Sequence, residues 1–333
     1  MNISSITASL SPSHFKSFFA SISAYQDILP VIQPVDPAFS YVNLAEKINE
    51  YRSEILLTGW GSVPLPESFL KDCPSVRYVC HLTGELRWLL PRTLIEEGLL
   101  VTNWGSIISD NVAEGALFLI LACLRRATNA ITIMHVRKEW DLSVAPPESL
   151  LDKRVGIHGF GNIAQQLTLL LKPFRCKISA YSSPVPDFIF NAFSTQHESS
   201  LENLFERNDI VVEVEALTDQ TKGMVDTNLL NRIQPGGIFV NVGRGKVVRE
   251  RDLEEVARQG KIFIGLDVYS EEPLPHDSPL RDLENVFLVP HLAGPTSDRL
   301  NICTQHALAN IQAYCEGKPL DGIVDVSAYD RMT

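Results

Sequence analysis

The stretch "VGIHGFGNIAQQL" (155–167) joins an apolar strand pattern to a helical one through three closely spaced small residues, Gly159, Gly161 and Ala164. A G-x-G-x-x-A pattern is weak by itself, because glycines fall in threes by chance. Its setting gives it weight: a strand enters it and a helix leaves it. Ile163, Leu167, Leu170 and Leu171 are predicted as that helix's buried stripe, with Pro173 as its stop. There Gly159 makes the tight turn, Gly161 lets a diphosphate approach the backbone, and Ala164 lets helix and strand come close. Free N–H groups at the helix start, those of Asn162 and Ile163 among them, then face an anion.

Outward from this turn, "KRVGIHG", "KISAYS", "DIVVEV", "GGIFVNV", "IFIGLDV" and "NVFLVPH" are candidate strands, separated by helical segments or loops. In the first third, "EILLTG", "RYVCH" and "LLVTN" have the same character. Strands apolar on both faces, alternating with helices, predict an α/β fold with parallel sheets covered on both sides. A long helix near "SDNVAEGALF", capped by Ser109 or Asp110, is predicted to link the halves, and "DLSVAPPESL" (141–150) reads as a loop feeding the second sheet. "TSDRLNICTQHALANIQAYCEG" reads as one amphipathic helix ended by Gly317, able to cross back to the first domain.

The 333 residues suffice for two domains, and 45% hydrophobic content is ordinary for a soluble globular chain. A formal charge of −11 argues against a nucleic-acid or anionic-membrane partner. The six scattered cysteines carry no metal-ligand spacing and read as reduced thiols of a cytoplasmic protein. "MNISSITASLSPSHFKSF" lacks the basic start and apolar core of a signal peptide, and the apolar run "GALFLILACL" (115–124) is about half a membrane span, hence a buried helix.

Chemistry gathers at the ends of the later strands. Arg244 in "NVGRGKVV", Asp267 in "GLDV" and His291 in "VPHLAG" all follow apolar runs, and Glu272 lies in the loop after Asp267. In an open parallel sheet the ligand crevice lies outside those ends, so these side chains are expected to converge. Arginine grips a planar carboxylate, histidine moves a proton near neutral pH, and a carboxylate beside it favours the charged imidazole. The acid expected to read a dinucleotide's ribose at the end of "CKISAYSSP" is replaced by Ser182 and Ser183. Nothing there excludes a 2′-phosphate by charge and no Arg or Lys awaits one, which leaves NAD and NADP both open.

"GIHGFGNIA", "FVNVGRGKVV", "GLDVYSEEPLP" and "NVFLVPHLAGPT", in this order, resemble the signature segments of the D-isomer-specific 2-hydroxyacid dehydrogenases, the family of phosphoglycerate and glycerate dehydrogenases. The resemblance implies two doubly wound parallel-sheet domains: a Rossmann cofactor domain (106–296) inserted in a flavodoxin-like substrate domain (1–105 with 297–333). It implies NAD(P)-dependent hydride transfer at C2 of a small 2-hydroxy or 2-keto acid, in a homodimer. Arg244 would hold the substrate, Glu272 support the histidine, and His291 serve as acid and base. Asp267 would bond the nicotinamide amide, with Val112 near its ring and Ala216 and Val242 beside the cofactor. Backbone amides around Gly84, Glu85 and Leu86 would hold the substrate's carboxylate.

The chain departs from the family pattern in places. "HLTGELRWLL" keeps Gly84 but follows it with Glu85, Leu86 and Arg87, and "VEALT" (214–218) puts Glu215 and Ala216 beside the cofactor. Arg249 replaces a usual helix-capping acid. Trp60 and Arg87 are candidates to line the substrate pocket, whereas His81 and His158 read as packed or capping histidines. A nicotinamide-sensing, non-catalytic regulator of the same fold is the alternative to an enzyme.

Overall fold

A computed structural model of the chain describes residues 5–332 other than 21, 23, 24, 26, 39, 142–145 and 184. Part of the loop predicted over 141–150 therefore lies outside the described residues. The chain divides into two compact units, 1–108 with 295–333, and 109–294.

The first unit is built on five parallel strands: β1 (Ile6–Ser9), β2 (Ile32–Val35), β3 (Ile55–Thr58), β4 (Tyr78–His81) and β5 (Leu100–Thr102), in the order β2-β1-β3-β4-β5. This is the flavodoxin-like order. β1 and β2 were not foreseen. "ITAS" is fully buried but half polar, and the edge strand "IQPV" buries only its outer residues. Pro34 is tolerated because an edge strand leaves one row of N–H groups unpaired. Leu44, Ile48, Leu56, Phe69, Val79 and Val101 form the core. The helix Leu300–Cys315 belongs to this unit, and its Thr304 hydroxyl donates to the Phe18 carbonyl (2.7 Å).

The second unit carries seven parallel strands: β6 (Arg154–His158), β7 (Lys177–Tyr181), β8 (Gln196–His197), β9 (Ile210–Glu213), β10 (Ile238–Asn241), β11 (Phe263–Leu266) and β12 (Val286–Leu288). Their order is β12-β11-β10-β9-β6-β7-β8, the doubly wound arrangement whose direction of growth reverses between β6 and β9. Strand residues alternate between two cores. Ile210, Val212, Ile238 and Val240 pack on one face, and Val211 and Phe239 on the other. This is why these strands read as continuous apolar runs. The two-residue edge strand β8 has no such run and was missed.

The helix Ser109–Leu124 is not a linker: it lies wholly in the second unit and buries Ala113, Ala116, Leu119 and Ile120 in its core. It includes Ser109 and Asp110, so neither caps it from outside. In the helix Asn162–Leu171 the buried stripe is Ala164, Leu167, Thr168 and Leu171, while Leu170 is exposed. The i, i+3, i+4, i+7 series starts from the small Ala164 and turns Leu170 away from the sheet. No single described helix is long and apolar enough to cross a membrane. All six cysteines are free.

Candidate functional site

Gly159 leaves β6 with φ +89, a region that penalises side chains, and its N–H donates to the Tyr181 carbonyl (2.9 Å). A Cβ there would lie 2.7 Å from the backbone of Glu215, so the turn needs glycine for contact as well as for conformation. Phe160 is buried and stacks on Phe190, fixing the turn between the two glycines. Gly161 caps the helix Asn162–Leu171 without a side chain, and a Cβ there would point into open space. Asn162 is exposed and Ile163 half-buried. The first-turn N–H groups of a helix have no partner within it, and here no side chain caps them. This cradle fits a dinucleotide's diphosphate.

The ends of β6, β7 and β9 meet beside this turn. His158 and Glu213 are paired in register and buried, with imidazole Nδ1 and carboxylate Oε2 2.5 Å apart. Burial pushes the His158 imidazole toward neutrality, but the Glu213 carboxylate, with Glu215 nearby, outweighs it and holds its pKa above the ordinary value. The other Glu213 oxygen accepts the Glu215 N–H (2.8 Å). Ser182, buried at the end of β7, donates its hydroxyl to Glu215 Oε2 (3.0 Å). The end of β7 carries no acid of its own, as the sequence indicates. The acid missing from β7 arrives from the loop after β9.

Three adjacent strands supply the second cluster. After β10, Asn241 accepts the Gly243 N–H through Oδ1 (3.0 Å) and donates to the Arg244 carbonyl (3.3 Å), shaping the loop. Neither Gly243 nor Gly245 has positive φ; both are contact glycines. A Cβ on Gly243 would stand 3.1 Å from Val214 Cα, and one on Gly245 only 1.9 Å from the Tyr269 carbonyl carbon. Gly245 thereby lets the loop after β11 lie against the Arg244 loop. In that second loop Glu272 Oε1 accepts the Tyr269 N–H (3.0 Å), and Oε2 meets His291 Nδ1 at 2.6 Å.

His291 has φ +54, a conformation that costs a non-glycine residue about 1–2 kcal/mol. Asp267 compensates. Its carbonyl accepts the His291 N–H (3.0 Å), and its carboxylate accepts the N–H groups of Leu292 (2.5 Å) and Ala293. Only 1% exposed, Asp267 positions the histidine's turn, a part its strand-end location did not reveal. Burial raises its carboxyl pKa even against those amides.

Hydrogen bonding to Glu272 raises the His291 pKa above the ordinary histidine value, burial and Arg244 opposing. Burial pushes Glu272 up, but His291, the Tyr269 amide and Arg244 outweigh it and leave the carboxyl below its usual range. Arg244 Nη1 donates to the Gly243 carbonyl (2.8 Å), and the loop that carries it lies against the Tyr269 backbone of the Glu272 loop. Glu272 and His291 also line a cavity of about 460 Å³ with Tyr269, Leu274, Arg281 and Leu288.

Among the other expected positions, Val112 and Ala216 are half-buried and Val242 is buried where its N–H donates to the Glu213 carbonyl (3.2 Å). Gly84, Glu85 and Leu86 lie in the first unit. A Cβ on Gly84 would strike the Trp104 indole, Glu85 accepts the Arg87 N–H (2.8 Å), and the Leu86 side chain is core. Trp60 meets Trp104 edge-on. His81 is packed as expected, between the Thr58 and Thr83 hydroxyls. Arg249 stands at the N-terminus of the helix Glu250–Arg258 without capping it. Sequence reasoning missed Asn241, the His158–Glu213 pair and the Ser182–Glu215 bond. Two acids flanking one valine at the end of a buried strand were the available signal.

Residues 117–293, more than half of the chain, match the family model described as D-isomer specific 2-hydroxyacid dehydrogenase, NAD binding domain. A glyoxylate/hydroxypyruvate reductase of Arabidopsis thaliana is 31% identical over 265 residues, 78% of this chain and 80% of the relative. A glyoxylate reductase/hydroxypyruvate reductase of Homo sapiens is 31% identical over 68% of this chain and 70% of its own length. The crystal structure of a glyoxylate reductase from Paecilomyes thermophila shares the fold, with a TM-score of 0.80 at 21% identity over 97% of this chain and 99% of that one. With its strand order, fingerprint turn and matched sequence, the chain belongs to the D-isomer-specific 2-hydroxyacid dehydrogenases and is an NAD(P)-dependent enzyme of that family.

Proposed function

We propose that the protein reduces small 2-keto acids of the glyoxylate and hydroxypyruvate type to the corresponding 2-hydroxy acids. The observation that carries this reading is the Glu272–His291 pair, 2.6 Å apart, with Arg244 on the loop of the neighbouring strand, at the edge of the sheet that bears the fingerprint turn. The reduced cofactor, NADH or NADPH, would supply the hydride when bound, and His291 the proton, for reduction of the keto group.

Arg244 holds the substrate's carboxylate and keto oxygen through its planar fork. His291 gives its proton to that oxygen through Nε2, because Nδ1 is committed to Glu272. Glu272 keeps the imidazole charged and fixes its rotation. Asp267 holds the backbone turn on which the histidine sits, and the N–H groups at Gly161–Ala164 hold the diphosphate. We assign the cofactor role to 106–296 and the substrate role to 1–105 with 297–333.

Named relatives that are reductases support an enzyme over a non-catalytic nicotinamide sensor. Exposed Phe118, Ile131, Met134, Val136 and Trp140 support a homodimer built on this region, and six free thiols suit the cytoplasm. Purified protein with NADH or NADPH and a panel of glyoxylate, hydroxypyruvate and pyruvate tests the activity. Oxidation of the cofactor by glyoxylate or hydroxypyruvate is expected, and none on any acid, with cofactor bound, overturns it.

A further inference from the structure

We infer that Glu215 is the residue that reads the adenosine ribose and makes the enzyme select NAD(H) over NADP(H). The inference rests on the dinucleotide site described above. In a doubly wound cofactor domain the ribose hydroxyls are met at the end of the second strand, by an acid that bonds the 2′-hydroxyl or an arginine that accepts a 2′-phosphate. In this chain that strand is β7, and Ser182 follows it.

Ser182 is 2% exposed and its hydroxyl is spent on Glu215 Oε2 (3.0 Å). The strand end therefore presents a carboxylate, delivered from the neighbouring loop. That carboxylate is held in place. Glu215 Oε1 accepts the Ala216 N–H (2.9 Å), the Glu215 N–H is bound by Glu213 Oε1 (2.8 Å), and Glu213 is clamped by buried His158 (2.5 Å). The Glu215 backbone also fills the space that a Cβ on Gly159 would occupy, which puts it against the fingerprint turn.

Such a carboxylate accepts hydrogen bonds from ribose hydroxyls and repels a 2′-phosphate. His158 and Glu213 act as positioning residues. They fix the loop without touching the ribose, and they use a strand-end pair in place of the usual apolar residues of a buried sheet.

Calorimetric titration of the wild type and of Glu215→Gln with NADH and NADPH tests this without reference to turnover. The wild type is expected to bind NADH at least about tenfold tighter than NADPH, and Glu215→Gln to bring the two within about threefold. Glu215→Ser, which also removes the charge, should act in the same direction, and its thermal unfolding with that of Glu215→Gln checks that both fold. Equal binding by the wild type, a preference for NADPH, or a ratio unchanged in both variants overturns the inference while leaving the dinucleotide site intact. Binding of neither cofactor overturns that site and the inference with it.

Discussion

Gly245→Ala is the most demanding perturbation of the proposed site, because it adds one carbon and no charge. The new Cβ would lie 1.9 Å from the Tyr269 carbonyl carbon, 2.1 Å from its oxygen and 2.5 Å from the Ser270 nitrogen, where ordinary contact begins at 3.4 Å. These are backbone atoms that no rotamer change can move aside. The loop after β11 must retreat by about 1.5 Å to restore contact. Added to the 2.6 Å between Glu272 and His291, such a retreat leaves about 4 Å, beyond hydrogen-bond reach.

Overpacking of this kind costs about 1–3 kcal/mol, and near 2 kcal/mol corresponds to about 4–8 °C in Tm for a domain of this size. A displacement on the order of 1 Å in a positioned group costs turnover about a hundredfold. Keto-acid reduction measured well below Tm, beside calorimetric cofactor affinity, separates the two effects. Turnover should collapse while NADH binding survives. Gly243→Ala, whose Cβ would meet Val214 at 3.1 Å, should be milder because its neighbours need give only a few tenths of an ångström. Wild-type turnover and Tm in Gly245→Ala would refute the idea that this glycine seats the Glu272 loop.

His291→Asn should lower kcat by about two to four orders of magnitude with cofactor affinity nearly unchanged; titration and steady-state kinetics check this, and joint loss of both would indicate a folding role. Because His291 must be protonated to reduce a keto acid and its pKa is raised, activity should fall only as pH rises through a value above the ordinary one near 6.5. Glu272→Gln removes the largest cause of that elevation, so the fall should move to lower pH in a kcat/KM profile. In the first unit His81 is buried neutral, its pKa lowered to about 3 by desolvation. The unfolded chain then binds the extra proton, so stability is complete above about pH 6.5 and declines as pH falls toward 3, by at most about 1.4 kcal/mol per pH unit. Denaturant midpoints at pH 7 and 5 should show that slope in the wild type and lose it in His81→Gln.

Signals carried within one short segment were legible. The fingerprint turn, the apolar strands of the second sheet and the strand-end positions of Arg244, Asp267 and His291 each declare themselves through local spacing. β1 and β2 did not, since polar residues and a proline interrupt them and only their neighbours bury them.

What tertiary structure alone decided is which distant backbones touch. The need for glycine at 245 is set by Tyr269 on the adjacent strand's loop. Ser182 looked like an uncharged strand end until the fold brought Glu215, 33 residues away, within hydrogen-bond distance. Asp267 stands at a strand end in the sequence, and only the fold shows that it also holds the turn of His291. Local spacing reports a residue's own conformation and face, whereas these roles depend on lateral order among parallel strands, which chain order does not encode.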